Sequence, residues 1–215
     1  NSVIYQAKQK CADVDFSISE SYGDYRIEIT YPNSISKEVF DSVISTVVGG
    51  LNENIYAMDD ISLAERLFQL LKLRRAKISV AESFTGGGIG KKLVEIPGIS
   101  EVYCEGLNTY SDVSKIKRLG VKQFTLDRYG AVSEQTAYEM AEGLRRENGS
   151  DVCIATTGLA GPASDGSQKP VGLVYIAVAV GEDFSVFEYN LGGSRENVTN
   201  TAINLALFHT YKLLK

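Results

Sequence analysis

Apolar and polar residues alternate through the first part of the chain, with the two-residue period of half-buried strands. The alternation covers residues 14–18 and 25–31, with a glycine-containing turn between them. Residues 33–49 follow with their apolar positions on one helical face, and residues 54–57 predict a short third strand. We therefore predict a small α+β domain of order ββαβ over residues 1–58.

From Ser62 onward the pattern changes to helical periods that alternate with short apolar runs. The first of these helices ends in the basic cluster at residues 72–75, as suits a helix C-terminus. The elements predicted after it are, in order, strand 78–81, helix 87–94, strand 102–109, helix 133–148, strand 152–156, a hairpin of strands 172–180 and 184–191, and helix 196–214. Strands flanked by helices imply an α/β domain, a three-layer α/β/α sandwich with a mixed sheet, over residues 59–215.

The composition argues against two classes of function. A formal charge of −5 provides no basic field that would attract nucleic acid. The longest apolar stretch, residues 171–180, is far shorter than the roughly 20 residues of a membrane span. Three widely spaced cysteines argue against a disulfide framework or a zinc site, so we expect a cytoplasmic protein. The chain begins at Asn1 without a methionine, which is consistent with a fragment of a longer polypeptide.

A glycine-rich segment connects the predicted strand 78–81 to the next helix, and it contains Ser83, Thr85, Gly86 and Gly87. Ligands of open α/β sheets bind at such strand ends, and the N–H groups of a helix's first turn point at them. A serine at this bend would lie beside donors suited to an oxyanion. The same residues also fit a simple helix cap or a phosphate cradle, so the motif alone does not decide.

A nucleophilic serine needs a neighbouring group that takes its proton. The only histidine, His209, lies late in the last helix, so another base is required. Tyr110 and Lys115 follow the next predicted strand, at the start of a short helix, and Ser-Lys pairs are an accepted variant of the catalytic triad. The alternative is that Tyr110 is half-buried at a strand end and Lys115 is a solvated helix residue.

A third polar segment follows strand 152–156 and contains Thr157, Gly158 and Gly161. Two cations, Lys169 and Arg195, come later in the chain, the second at the start of the final helix. Exposed N–H groups and nearby cations suit a phosphate. Ordinary turn chemistry explains the same residues.

Together these segments resemble, in order along the chain, the motifs of the CinA C-terminal domain family. The matching motifs are Ala-Glu-Ser-x-Thr-Gly-Gly at 81–87, Tyr-Ser-x-x-x-Lys at 110–115, Gly-Ala-Val-Ser at 130–133, Thr-Gly-Leu-Ala-Gly-Pro at 157–162 and Lys-Pro-Val-Gly at 169–172. The resemblance covers nearly all of residues 73–215. The preceding residues look like the small KH-like or linker module of full-length CinA proteins. Those proteins also carry a large N-terminal domain of the nucleotide-pyrophosphatase type, which is not seen in this chain.

The resemblance implies a fold similar to anticodon-binding domains. It also implies hydrolysis of nicotinamide mononucleotide (NMN) to nicotinic acid mononucleotide, with release of ammonia. It places the family's catalytic serine, tyrosine and lysine on Ser83, Tyr110 and Lys115. Phe84 stands where the family usually has cysteine, which concerns the shape of the pocket. We expect no cofactor, no metal, and assembly into homo-oligomers, as is common in the family.

On this hypothesis, neutral Lys115 takes the proton of Ser83 directly or through Tyr110, and N–H groups around residues 85–87 hold the oxyanion. The substrate phosphate would bind the 157–161 loop, Lys169 or Arg195. The alternative is a catalytically idle module that senses a nucleotide or docks a partner. Nucleic-acid binding by the first domain is disfavoured, because it contains few basic residues and no Gly-x-x-Gly with flanking lysines.

Overall fold

The computed structural model describes residues 2–164 and 166–215. The chain forms two compact units, Asn1–Asp60 and Ile61–Lys215. Within the described ranges, no helix is both long enough and apolar enough to cross a membrane.

The first unit contains two helices and one hairpin. Its elements are α1 (Ser2–Lys10), β1 (Asp15–Ser21), β2 (Asp24–Thr30) and α2 (Lys37–Leu51), followed by a 3₁₀ turn at Asn52–Asn54. The strands pair antiparallel, from Asp15 opposite Thr30 to Ser21 opposite Asp24. The small core contains residues from the helices and from the segment before β1, namely Ala7, Val14, Val43 and Val47.

This unit differs from the prediction in three features. Residues 54–57 form no strand, and the sheet of this unit has only β1 and β2. The segment is held by a side chain instead, because Tyr56 Oη donates to Asp24 Oδ2 at 3.1 Å. The helix α1 was not predicted, since only Ala7 of its residues is buried and its apolar period is weak. The observed order is therefore αββα, and α2 is capped by Ser36 rather than by residues 33–34.

The second unit has a five-stranded mixed sheet, as predicted. Its elements are α3 (Leu63–Arg74), β3 (Ile78–Glu82), α4 (Gly88–Val94), β4 (Tyr103–Asn108), α5 (Asp112–Leu119), α6 (Gln123–Tyr129), α7 (Glu134–Asn148), β5 (Val152–Gly158), β6 (Leu173–Val180), β7 (Asp183–Asn190) and α8 (Arg195–Leu214). The strand order is β4-β3-β5-β6-β7. Helices α3, α4 and α8 contact one another, and α7 contacts both α5 and α6, so two helical layers flank the sheet.

The parallel part of the sheet brings three strand ends together. Strand β3 pairs parallel with both β4 and β5, and Glu82 lies opposite Asn108 on one side and Thr156 on the other. All five residues of β3 are buried, as expected for a central parallel strand covered on both faces. The next residues in register, Ser83, Thr109 and Thr157, therefore share one edge of the sheet.

Helix α5 packs against α7 at a glycine. A Cβ added at Gly143 would overlap the backbone carbonyl of Leu119, the last residue of α5. Backbone cannot move aside as a flexible side chain can, so only glycine fits at this crossing. Gly143 thereby sets the separation of the two helices.

We expect Gly143→Ala to destabilise the second unit by about 2 kcal/mol, because overpacking of this kind costs roughly 1–3 kcal/mol. This net loss combines an overpacking cost of about 3 kcal/mol, at the upper end of that range because the obstacle is backbone, with the gain of about 1 kcal/mol that alanine usually brings to a helix interior. Urea denaturation of the full chain measures it. Glu147→Ala, at an exposed position of the same helix, is the control. Equal stability of the two variants would contradict the close packing.

Candidate active site

Ser83 lies in the turn between β3 and α4, and its backbone is fixed from both sides. Its N–H donates to the Thr156 carbonyl at 3.1 Å, which extends the pairing of β3 with β5 by one residue. Its own carbonyl accepts from the N–H of Gly86 at 3.1 Å. The side chain of Ser83 is nearly covered, since the residue is 7% exposed.

Lys115 comes from α5, whose first turn is capped by Ser111. It is only 1% exposed and is the largest fully buried side chain among the described residues. Its Nζ lies 3.1 Å from Ser83 Oγ, 3.0 Å from the Thr109 carbonyl and 3.0 Å from the Tyr110 carbonyl. The structure thus brings together the predicted nucleophile and the predicted base.

The three oxygens around Lys115 Nζ suit either protonation state of the amine. A charged amine donates to all three, whereas a neutral amine donates its two N–H groups to the carbonyls and keeps a lone pair for the hydroxyl proton of Ser83. Burial lowers the pKa of Lys115 below its ordinary value of 10.5, and the nearby carboxylate of Asp112 opposes this by raising the pKa. The Asp112 carboxylate lies 3.9 Å away and is largely solvated, so burial is the larger effect.

The N–H groups at the start of α4 already have a partner. The carboxylate of Glu82 is 1% exposed and accepts from the N–H of Gly87 at 3.1 Å, of Ile89 at 3.1 Å and of Gly90 at 2.9 Å. The N–H of Gly86 is used by the Ser83 carbonyl. Two of the N–H groups expected to hold a substrate or an oxyanion, those of Gly86 and Gly87, are therefore occupied inside the protein.

Tyr110 reaches the site with its backbone rather than with its ring. Its carbonyl accepts from Lys115, whereas the residue is 64% exposed and its Oη lies 3.4 Å from Arg195 Nη2. Arg195 also donates through Nη1 to the Gly161 carbonyl at 2.6 Å. Three predicted residues thus meet in one cluster, in which Tyr110 and Arg195 are exposed and Gly161 is buried. Among the described contacts, the Tyr110 hydroxyl makes none with Ser83.

The other residues that were predicted to bind the substrate make hydrogen bonds or packing contacts within the protein. Thr85 Oγ1 bonds Thr156 Oγ1 at 2.7 Å, and Thr157 Oγ1 donates to the Ala131 carbonyl at 2.6 Å. A Cβ at Gly158 would lie 2.6 Å from Val174 Cγ1, so this glycine permits close packing. The amine of Lys169 donates to the carbonyls of Tyr129 and Val132. This lysine holds the loop around Ala131, which differs from the predicted role in binding phosphate.

Two residues near Ser83 were not predicted from the sequence. Glu82 ends an otherwise apolar strand directly before a glycine-rich turn, and that placement of an acid was the available signal. Thr109 has no such signal. Its Oγ1 is buried without a hydrogen-bond partner among the described residues, although its carbonyl accepts from Lys115.

Phe84 and His209 both pack against other side chains of the second unit. Phe84 is buried, and its ring lies 3.0 Å from a Cβ added at Gly158, so it packs behind the turn. His209 stacks on Phe187, its Nε2 lies 2.5 Å from Tyr189 Oη, and burial lowers its pKa to about 4. Both of its partners belong to β7, at the sheet edge opposite β4. The histidine is thus remote from the strand end that carries Ser83.

The fold and the site define an α/β domain with a buried serine–lysine pair at the carboxyl edge of a mixed sheet. Residues 60–214 match the family model described as the CinA C-terminal domain, and the chain belongs to this family. A protein of Alkaliphilus oremlandii, named as competence-damage inducible, is 46% identical over 157 residues, which are 73% of this chain and 38% of the relative. A CinA-like protein of Kosmotoga olearia is 40% identical over 189 residues, which are 86% of this chain and 46% of the relative. The chain thus spans less than half the length of these relatives.

Solved structures of the same superfamily share the fold. A competence or damage-inducible protein from Enterobacter asburiae is 31% identical, with a TM-score of 0.70 over 71% of this chain and 96% of that chain. A CinA superfamily protein from Escherichia coli is 32% identical, with a TM-score of 0.68 over 76% of this chain and 98% of that chain. These structures correspond in extent to the second unit, which carries Ser83 and Lys115.

We expect Asp112→Asn to lower the pKa of Lys115 further. The Asp112 carboxylate favours the charged amine, so its removal leaves burial unopposed and extends the neutral form to lower pH. A titration of the Lys115 Cε chemical shift by NMR measures the change. Asp127→Asn, on exposed α6, is the control. A pKa that stays constant or rises in Asp112→Asn would refute this electrostatic coupling.

Proposed function

We propose that this chain hydrolyses the carboxamide of nicotinamide mononucleotide to nicotinic acid mononucleotide and ammonia. The observation that carries the proposal is the buried Lys115 Nζ, which lies 3.1 Å from Ser83 Oγ. A serine–lysine pair of this kind serves acyl transfer in unrelated proteins. The choice of nicotinamide mononucleotide comes from the motifs that the chain shares with the CinA C-terminal domain.

In the first half of the proposed reaction, neutral Lys115 takes the hydroxyl proton of Ser83 while Oγ forms a bond to the carboxamide carbon. The tetrahedral intermediate then collapses, the C–N bond breaks, and Lys115 returns the proton to the leaving nitrogen. The products of this half are ammonia and an acyl ester on Ser83. Direct transfer is supported by the contact between the two side chains, so a relay through the Tyr110 hydroxyl is not required.

In the second half, Lys115 takes a proton from water, and the hydroxide oxygen attacks the ester carbon. The bond to Ser83 Oγ breaks, Lys115 protonates Oγ, and the carboxylic acid product leaves. The sum is one amide and one water converted to one acid and one ammonia. The protein groups end in the state in which they began.

Two N–H groups of the turn are suited to the oxyanion. Those of Phe84 and Thr85 make no hydrogen bond within the described part of the chain, in contrast to those of Gly86 and Gly87. An N–H directly after the nucleophile is well placed for an oxygen on the carbon that Oγ attacks. The unpaired hydroxyl of Thr109 is a further candidate partner for the carboxamide.

The phosphate is assigned to the cluster of Tyr110, Gly161 and Arg195. Lys169 is partly buried and donates to two backbone carbonyls, whereas Arg195 is exposed at the start of α8 and keeps N–H groups beyond the two that contact Gly161 and Tyr110. A planar guanidinium can bind a phosphate with two parallel hydrogen bonds. A cytoplasmic location, assembly into homo-oligomers and the likeness of residues 1–58 to a KH-like module stay predictions.

We expect Ser83→Ala and Lys115→Met each to reduce ammonia release from nicotinamide mononucleotide by at least about 1,000-fold, because the nucleophile or its base is lost. A coupled ammonia assay measures the rate, and circular dichroism checks the fold. Lys117→Met, at an exposed position of the same helix, should keep the wild-type rate.

Near-normal turnover in Ser83→Ala would refute the mechanism. Wild-type protein that binds the nucleotide tightly in calorimetry and releases no ammonia would instead favour the idle nucleotide-sensing module. Ammonia release from other pyridine nucleotides, at a higher kcat/KM than from nicotinamide mononucleotide, would reassign the substrate.

A further inference from the structure

The proposed reaction makes no use of the buried carboxylate that directly precedes the nucleophile. The Glu82 side chain contacts the first turn of α4, whereas the side chain of the next residue, Ser83, contacts Lys115 of α5. Among the described residues, the Glu82 carboxylate makes no hydrogen bond to Ser83 Oγ or to Lys115 Nζ. Glu82 can therefore act on Ser83 through the turn that follows it.

The side chain of Glu82 holds the first turn of α4 in place. Helix α4 has only seven residues, and helices this short are not stable on their own. Three of its leading N–H groups, those of Gly87, Ile89 and Gly90, donate to the one carboxylate. Hydrogen bonds to an ionised acceptor are stronger than those between neutral groups. The conformation of the four residues between Glu82 and Gly87 is thereby tied down at both ends.

The backbone of Glu82 connects the nucleophile to the acceptors of the base. Its carbonyl accepts from the N–H of Thr109 at 2.8 Å. The carbonyl of that same threonine accepts from Lys115 Nζ at 3.0 Å. A short path of hydrogen bonds thus runs from the residue before Ser83 to the amine that faces Ser83 Oγ.

We propose that Glu82 is a positioning residue for Ser83. Its carboxylate fixes the β3–α4 turn, so that the hydroxyl of Ser83 stays within reach of Lys115 and of the N–H groups of Phe84 and Thr85. The inference rests on the proposed function, since it concerns the same nucleophile. The positioning role of Glu82 does not depend on the identity of the substrate, because it applies to any electrophile that Ser83 attacks.

The test is Glu82→Gln in the full chain. Glutamine keeps the size of the side chain but turns one acceptor into an NH₂ group that opposes the helix N–H donors. We expect kcat for ammonia release to fall about 100-fold, the loss typical of a misplacement near 1 Å. We expect KM to change little, because the cluster to which the phosphate is assigned, Tyr110, Gly161 and Arg195, is left intact. Labelling of Ser83 by a fluorophosphonate, followed by mass spectrometry, should slow by a similar factor.

The matched control is Asn148→Ala, which weakens the same strand at its other end. Asn148 Nδ2 donates to Ser79 Oγ on β3 at 2.9 Å. This variant should lose thermal stability and keep wild-type kcat and labelling, measured well below its Tm. Glu82→Asp retains the charge but shortens the reach. Its kcat and its labelling rate should lie between those of wild type and Glu82→Gln. It replaces Glu82→Gln as the test variant if the glutamine variant does not fold.

Wild-type kcat and labelling in Glu82→Gln, or losses no larger than those of Asn148→Ala, would overturn the positioning role. Labelling of wild-type Ser83 without any ammonia release would refute the proposed substrate alone, and the labelling rates would still decide the role of Glu82. A wild-type Ser83 that neither labels nor turns over substrate would contradict both proposals.

Discussion

The site depends on burying one lysine amine away from solvent. Transfer of an ammonium group out of water costs several kcal/mol, and a neutral amine avoids most of that cost. The surroundings of Lys115 provide two carbonyl acceptors and one hydroxyl, so the amine can lose its charge without leaving an N–H group unpaired. The parallel pairing of β3 with β4 and β5 is what brings these groups together.

The sequence predicted the fold best where a segment is long or buried on both sides. The buried strands β3 and β5, the hairpin of β6 and β7, and the long helix α7 all have a clear apolar period or run. Helix α8 is buried around most of its surface and was recognised by its length and apolar run rather than by a period. In two short segments the signal was weak or misleading. Helix α6 buries only Thr125 and Leu126, and the strand expected at residues 54–57 had two alternating apolar positions, which tertiary contacts overrode.

The sequence predicted which residues form the candidate site better than it predicted which partners their polar groups contact. Ser83 and Lys115 follow adjacent strands, so sheet topology alone could bring them close. What the sequence could not show is which way each polar group turns. Glu82 takes the N–H groups that a ligand was expected to use, and Lys169 turns to carbonyls of the loop around Ala131. These choices depend on competition among nearby donors and acceptors, which only the folded structure resolves.

The contact of Gly143 with Leu119 makes the position of Lys115 depend on how α5 packs against α7. Helix α5 carries Lys115, and its last residue lies against α7 at a point where no side chain fits. A Cβ at Gly143 would lie 1.8 Å from the Leu119 carbonyl oxygen, so α5 would have to move by more than the roughly 0.5 Å range of hydrogen-bond lengths. Replacement of Gly143 during evolution is therefore limited by the distance between Lys115 and Ser83 as well as by the stability of the fold. A protein with alanine at this position could remain compact, yet hold the amine of Lys115 too far from Ser83.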